Sequence, residues 1–273
     1  MKPEEILTHH DSGELWPADR DKPWADLAGG YATALQVNGL RVQRGEKLRG
    51  YKIGFTNRSI WPKYGVDTPI WGAVWDSSLS IQPSGTDNDA ETSTLSLAGL
   101  CQPRIEPEVV FGFAATPPAN ADLQQLYEAL EWVAPGFEIV QSHQPNWQFT
   151  AAQAAADGAL HARLHVGQRQ PVAALGGDAR TLHSSLARAQ VELVRNGQPV
   201  ETGQGVQVLD SPLQALHHFL QVLRQTPGAQ DIQPGDTVTT GTWTDAWPVL
   251  PGEHWSADFG TTLPKLELRF SPD

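Results

Sequence analysis

Residues 103–113, PRIEPEVVFGF, alternate acid and apolar side chains in the manner of a half-buried strand, on which positions i and i+2 share a face. Glu106 and Glu108 therefore point the same way, in a run otherwise too apolar for a surface. Upstream, Leu27, Ala28, Tyr31 and Leu35 recur at helical spacing between Trp24 and a stop at Gly45, which predicts an amphipathic helix. Residues 48–55 (LRGYKIGF) read as a strand with Gly50 and Gly54 flanking Lys52. Thr56-Asn57 is placed to cap a short helix over 58–64, and 66–72 form a loop leading into a strand at 71–75. Residues 1–23, polar and broken by Trp16-Pro17 and Lys22-Pro23, read as an arm suited to packing on a neighbouring subunit; the Ser-, Thr- and Asp-rich stretch 83–96 reads as a surface loop.

Downstream, Asn120 is placed to cap a helix with Leu123, Leu126, Tyr127, Leu130 and Val133 or Ala134 on its apolar face, ended by Pro135-Gly136. A strand at 137–140 follows and carries one lone acid, Glu138. Residues 161–167 and 190–195 read as strands, the latter turned back at Asn196-Gly197 toward Pro199-Val200. Ser211-Pro212 opens a helix with Leu213, Leu216, Leu220 and Leu223 along one face, and its adjacent His217 and His218 read as surface or packing residues. Pro234-Gly235-Asp236 turns into a strand at 237–241, and short strands close the chain. The expected class is α+β, with a smaller N-terminal α/β portion over 1–80 (arm, helix and the Lys52 strand) and a β-rich core over 81–273.

Composition narrows the function. The 273 residues, 40% of them apolar, suit an ordinary globular fold, and the single Cys101 excludes a disulfide framework or a Cys/His zinc site. With no basic N-terminal region followed by an apolar core and no long apolar run, a cytoplasmic protein without a membrane span is expected. The formal net charge of -12, without a basic stripe, argues against nucleic acid as a partner. It also means that an anionic ligand needs a local source of positive charge.

Three acids and one lysine stand out. Glu106 and Glu108 are either two surface acids on a solvated edge strand or a buried pair, and a buried pair of like charges costs several kcal/mol unless a cation sits between them. A hard divalent ion that prefers oxygen ligands, Mg²⁺ or Mn²⁺, fits the buried case, and Glu138 inside its apolar run is the natural third ligand. Lys52 is either an edge-strand lysine or a cationic partner for an anionic ligand. Arg58, Lys63, His143 and His161 are candidates to meet a distal carboxylate, with surface or core roles as the plainer reading.

Several stretches, in order along almost the whole chain, resemble the 2-keto-4-pentenoate hydratase and 4-oxalocrotonate decarboxylase family, which has the fumarylacetoacetate hydrolase fold: Gly50-Tyr51-Lys52-Ile53-Gly54-Phe55-Thr56, Gly65-Val66-Asp67-Thr68-Pro69, Pro103-Arg104-Ile105-Glu106-Pro107-Glu108, Glu138-Ile139-Val140, Ala156-Asp157, Pro234-Gly235-Asp236, Thr240-Gly241-Thr242 and Ala257-Asp258-Phe259-Gly260. The resemblance implies a twisted β core, Mg²⁺ or Mn²⁺ held by Glu106, Glu108 and Glu138, an active-site lysine at Lys52 with Asp157 as a second catalytic position, substrate contacts at Ile70, Trp71, Thr242 and Trp243, and a homo-oligomer. The implied substrate is a small 2-oxo acid. Two positions depart from the hydratase pattern: Pro69-Ile70-Trp71-Gly72 has Ile70 where hydratases usually carry Asp, and Asp157-Gly158-Ala159-Leu160 lacks the usual Asn and the serine that follows it. Water addition needs a group that orients and deprotonates water, whereas loss of CO₂ does not. Decarboxylation is therefore favoured over hydration, with a non-catalytic subunit stabilising a hydratase or decarboxylase partner as the reading of another class.

Overall fold

The computed structural model describes residues 1–17, 24–83 and 93–272. Its helices are α1 (Pro3–Ser12), α2 (Leu27–Gln43), α3 (Trp61–Tyr64), α4 (Leu123–Glu128), α5 (Ala151–Ala156), α6 (Ala179–Arg188) and α7 (Pro212–Gln225). The strands are β1 (Leu48–Gly54), β2 (Ile70–Trp75), β3 (Leu79–Ile81), β4 (Ser93–Leu95), β5 (Arg104–Phe113), β6 (Leu130–Val140), β7 (His161–Val166), β8 (Gln170–Pro171), β9 (Gln190–Arg195), β10 (Gln198–Gln204), β11 (Thr237–Thr239), β12 (Trp247–Pro248), β13 (His254–Asp258) and β14 (Leu266–Phe270).

Two mixed sheets form the β core, and the α+β class expected from the sequence is the one observed. The larger runs β2-β1-β11-β5-β6-β7-β3, with β12 and β8 pairing outside this path, and the smaller runs β10-β9-β13-β14-β4. β1 and β2, from the N-terminal 80 residues, share the larger sheet with β5 and β6. The central β5–β6 ladder is buried along most of its length, so its residues read as nearly continuous apolar runs interrupted only where chemistry requires. Gly50, with φ near +136°, lies where a Cβ would meet the Thr237 carbonyl oxygen at 1.9 Å, so the group that approaches this glycine is the neighbouring strand β11.

Four expectations about elements change. Residues 3–12 form α1 rather than an irregular arm: Ile6 is fully buried in a cluster with Trp16 and Val37 of α2, and Gly13 ends the helix in the left-handed conformation. The remainder of that predicted arm, 18–23, lies outside the described residues. The helix expected over 123–134 stops at Glu128, capped by Asp122 rather than Asn120, and from Leu130 the chain is strand. Pairing along the whole of β5 overrides the helical spacing of Leu126 and Leu130. Pro135 sits inside β6 because its carbonyl still serves the ladder, accepting from Gly167 N–H at 2.9 Å. Finally, 93–95 of the expected surface loop is β4, parallel to β14, while 84–92 lies outside the described residues.

Candidate active site

The register of β5 against β6 pairs Glu106 directly with Glu138, and the two-residue strand period places Glu108 on the same face as Glu106. One carboxylate oxygen from each of the three lies within 4.8 Å of the others. Glu108 and Glu138 are fully buried. Their outer oxygens are only partly used. Glu108 Oε2 accepts from the Gly241 N–H at 2.7 Å and from the Thr239 hydroxyl, whereas Glu108 Oε1 has no hydrogen-bond partner. Gly241, with φ near +101°, can bring its N–H in because it lacks the Cβ that would meet Thr56 Oγ1 at 2.1 Å. Glu138 Oε1 takes a 2.9 Å hydrogen bond from His161 Nδ1, and His161 Nε2 lies 3.0 Å from Ser78 Oγ. Glu138 Oε2 meets the Lys52 ammonium at 3.2 Å.

Two buried carboxylates and one half-buried one around a single ammonium are not electrically settled. Burial pushes Glu106 up to about 7, Glu138 adding to the shift while Lys52 opposes it; burial, Glu138 and Glu106 together hold Glu108 well above the usual carboxylate range. For Lys52, burial disfavours the charge, but the attraction of Glu138, Glu106 and Glu108 outweighs it and holds the amine above its ordinary value. An oxygen-only ligand set with an orphaned carboxylate oxygen is the donor chemistry of a hard divalent cation, so these residues fit Mg²⁺ or Mn²⁺.

A cavity of about 300 Å³ opens beside the cluster, with Lys52 and Glu106 in its lining. Ile70, Val140, Ala159 and Leu160 form one apolar wall, packed together in a single buried cluster. Phe55, Tyr64 and Phe149 line another and stack in sequence at 4.5 and 5.5 Å between ring centroids. Arg104 also borders the cavity, its guanidinium 4.3 Å from the Trp147 ring centre. A larger shallow groove of about 1210 Å³ between α4, α6 and α7 holds none of the candidate residues.

Lys52, Ile70, Thr242 and Trp243 all line the cavity beside the three glutamates. Trp71 does not: one residue along β2 from Ile70 it faces the other way and stacks on Tyr31, ring centroids 4.9 Å apart. Asp157 is also absent from the lining. Its carboxylate is taken up by His10 Nε2 at 2.9 Å and His143 Nδ1 at 2.7 Å, with the His143 N–H at 3.1 Å on the second oxygen. These donors hold the acid at about 2 although burial alone would raise it. Of the candidates for a distal carboxylate only Lys63 borders the cavity; Arg58 pairs with Asp210, and His143 and His161 are internal. Sequence reasoning missed His161 as the partner of Glu138 and the Ala159 carbonyl, which accepts from Lys52 Nζ at 2.9 Å. A histidine at the head of the strand after Glu138 was the available signal for the first; a backbone acceptor leaves none.

No family model matches the chain. It is 30% identical over 258 residues to a 4-oxalocrotonate decarboxylase of Pseudomonas sp. strain CF600, covering 91% of this chain and 89% of that one. A 2-hydroxyhexa-2,4-dienoate hydratase of Comamonas testosteroni is 29% identical, with 88% and 85% covered. Among solved structures, the 4-oxalocrotonate decarboxylase of Pseudomonas putida G7 with magnesium and adipate superposes with a TM-score of 0.84 at 24% identity, covering 98% of this chain and 95% of that one. The chain belongs to the 2-keto-4-pentenoate hydratase and 4-oxalocrotonate decarboxylase family, on the fumarylacetoacetate hydrolase fold. It is a lyase-type enzyme.

Proposed function

We propose that this lyase releases CO₂ from a 4-oxalocrotonate-like 2-oxo acid. The observation that carries the reading is the apolar wall of Ile70, Val140, Ala159 and Leu160, which stands beside Lys52 where the hydratase pattern has an acid and a serine. Glu106, Glu108 and Glu138 would hold Mg²⁺ or Mn²⁺. Once bound, such an ion would supply Lewis-acid stabilisation of negative charge that develops on the substrate.

The chain's own groups supply the rest. Lys52, kept charged by the glutamates, offers a second cation to an anionic substrate that the net charge of -12 otherwise repels. In decarboxylation the carbon–carbon bond to the departing carboxylate breaks, and its electron pair moves along the conjugated chain onto the 2-oxo oxygen, where a nearby ammonium lowers the energy of the developing charge. The resulting dienolate then takes up a proton. An apolar wall offers the departing carboxylate no hydrogen bond, so its charged form is not stabilised there. Trp243, only 2% exposed, adds a further apolar surface to the cavity lining.

Hydration of a 2-hydroxydienoate is the second reading, favoured by the near-equal identity to a hydratase. Both reactions share the dienolate, so one test separates them: 2-oxo acids and 2-hydroxydienoates assayed with and without Mg²⁺ and with Mn²⁺, following CO₂ release and loss of the conjugated chromophore independently. Release of CO₂ from a 2-oxo diacid supports the first reading; chromophore loss without any CO₂ replaces it with the second. Turnover by the isolated protein argues against a purely stabilising subunit, and light scattering of the same sample checks the expected homo-oligomer.

A further inference from the structure

Lys52 Nζ takes its aim from two groups, the Glu138 carboxylate at 3.2 Å and the Ala159 carbonyl at 2.9 Å. The second belongs to a turn that does not hold itself in place. Gly158, Ala159 and Leu160 have φ of 62°, 54° and 68°, and for the two side-chain-bearing residues this left-handed backbone costs on the order of 1–3 kcal/mol each unless the surroundings impose it. The surroundings that impose it include the Gln141 N–H, which donates to the Leu160 carbonyl at 2.8 Å, the packing of the buried Ala159 and Leu160 side chains, and Asp157, the residue at the head of the turn. Its carbonyl closes the turn by accepting from Leu160 N–H at 3.0 Å, and its buried carboxylate is held by His10 and His143.

The two histidines are themselves set up as donors. Arg41 Nη2 lies 3.3 Å from His10 Nδ1; an arginine can only donate, so Nδ1 accepts and Nε2 carries the proton given to Asp157. His143 donates through Nδ1 to the Asp157 carboxylate, and its Nε2 has no hydrogen-bond partner. The rings stack at 5.1 Å between centroids, tying α1 to the segment after β6. His10 comes from the first turns of the chain, 147 positions before Asp157.

We propose that His10 and His143 are positioning residues for the reaction: by clamping Asp157 they fix the strained turn whose Ala159 carbonyl aims the Lys52 ammonium into the cavity. The proposal rests on Lys52 acting in turnover as argued above. It gives α1 a part in activity without any contact with substrate.

The test is a double-mutant cycle in the full chain. His10→Leu removes the donor and should lower kcat about 10- to 100-fold, the usual cost of misplacing a reacting group by about an ångström, with little change in KM or in Mg²⁺ affinity measured by calorimetry. His10→Gln and His143→Asn carry an amide N–H near the lost ring N–H and should restore kcat to within a few fold. In a Lys52→Met background, His10→Leu should cost nothing further. An equal loss of kcat in both backgrounds overturns the proposal, as does a His10→Gln variant no better than His10→Leu. If His10→Leu does not fold, His10→Asn, too short to reach Asp157, takes its place in the cycle. Undiminished turnover by Lys52→Met would instead sink the role of Lys52 itself.

Discussion

Glu106 and Glu138 are directly opposed residues of the β5–β6 ladder, two carboxylates facing each other across adjacent strands with Glu108 two residues along. Like charges so placed destabilise a sheet unless a cation joins them. Divalent metal should therefore raise thermal stability. At a hundredfold excess over the dissociation constant the gain is about 3 kcal/mol, several degrees in Tm. Chelator should reverse it, and the triple variant Glu106→Gln, Glu108→Gln, Glu138→Gln should show no Tm response to Mg²⁺ or Mn²⁺. A triple variant that binds metal with unchanged calorimetric affinity would refute the assignment.

Lys52 is 3% exposed and is the cation closest to these acids. Lys52→Met should reduce turnover by at least about a hundredfold, because a cation opposite developing charge is lost. It also leaves Glu138 without its cationic partner, with only the His161 hydrogen bond remaining, at a cost of up to about 3–5 kcal/mol in the metal-free protein. Added Mg²⁺ should recover much of that stability and little of the activity. Urea midpoints measured with and without Mg²⁺, beside kcat, check both halves.

Ile70, 1% exposed, borders the cavity on its apolar wall. Ile70→Asp places a negative charge against a departing carboxylate and should weaken CO₂ release by tenfold or more, on the order of a kcal/mol or two of repulsion. It should also permit slow hydration of 2-hydroxydienoates, since the new carboxylate can orient water. Rates measured at saturating Mg²⁺ keep metal binding out of the comparison. Faster CO₂ release in this variant would contradict the role given to the wall.

His165 on β7 is buried, bonded through Nδ1 to Ser80 Oγ at 2.8 Å and unpartnered at Nε2. Burial pushes its pKa down to about 4, below the ordinary value near 6.5 expected when unfolded. The folded state thus prefers neutral imidazole. Its contribution is complete above about pH 6.5 and is lost as pH falls toward 4, a change on the order of 3 kcal/mol. His165→Gln should flatten that part of the stability curve, read from urea midpoints at pH 7 and pH 4.5; parallel curves for the two proteins would show that His165 does not titrate with unfolding.

Local rules of the sequence determined a good deal. The two-residue period put Glu106 and Glu108 on one face, the apolar run around Glu138 marked that acid, and Ser211-Pro212 began α7, with the Ser211 hydroxyl accepting from Gln214 N–H. Family motifs spread along the chain carried the fold. Tertiary structure decided what depends on pairing between distant segments. The register that sets Glu106 against Glu138 follows from ten residues of β5 meeting β6, and the same ladder drew Leu130 and its successors out of a helix their spacing allowed. That Ile70 faces the cavity while Trp71 packs on Tyr31 follows from which face of β2 is turned inward, and alternation alone leaves that choice open. The resemblance marked Asp157 as a catalytic position, whereas its contacts with His10 and His143 arise only once the chain has folded. A carboxylate's role depends on the donors that surround it, and sequence spacing does not say which donors arrive.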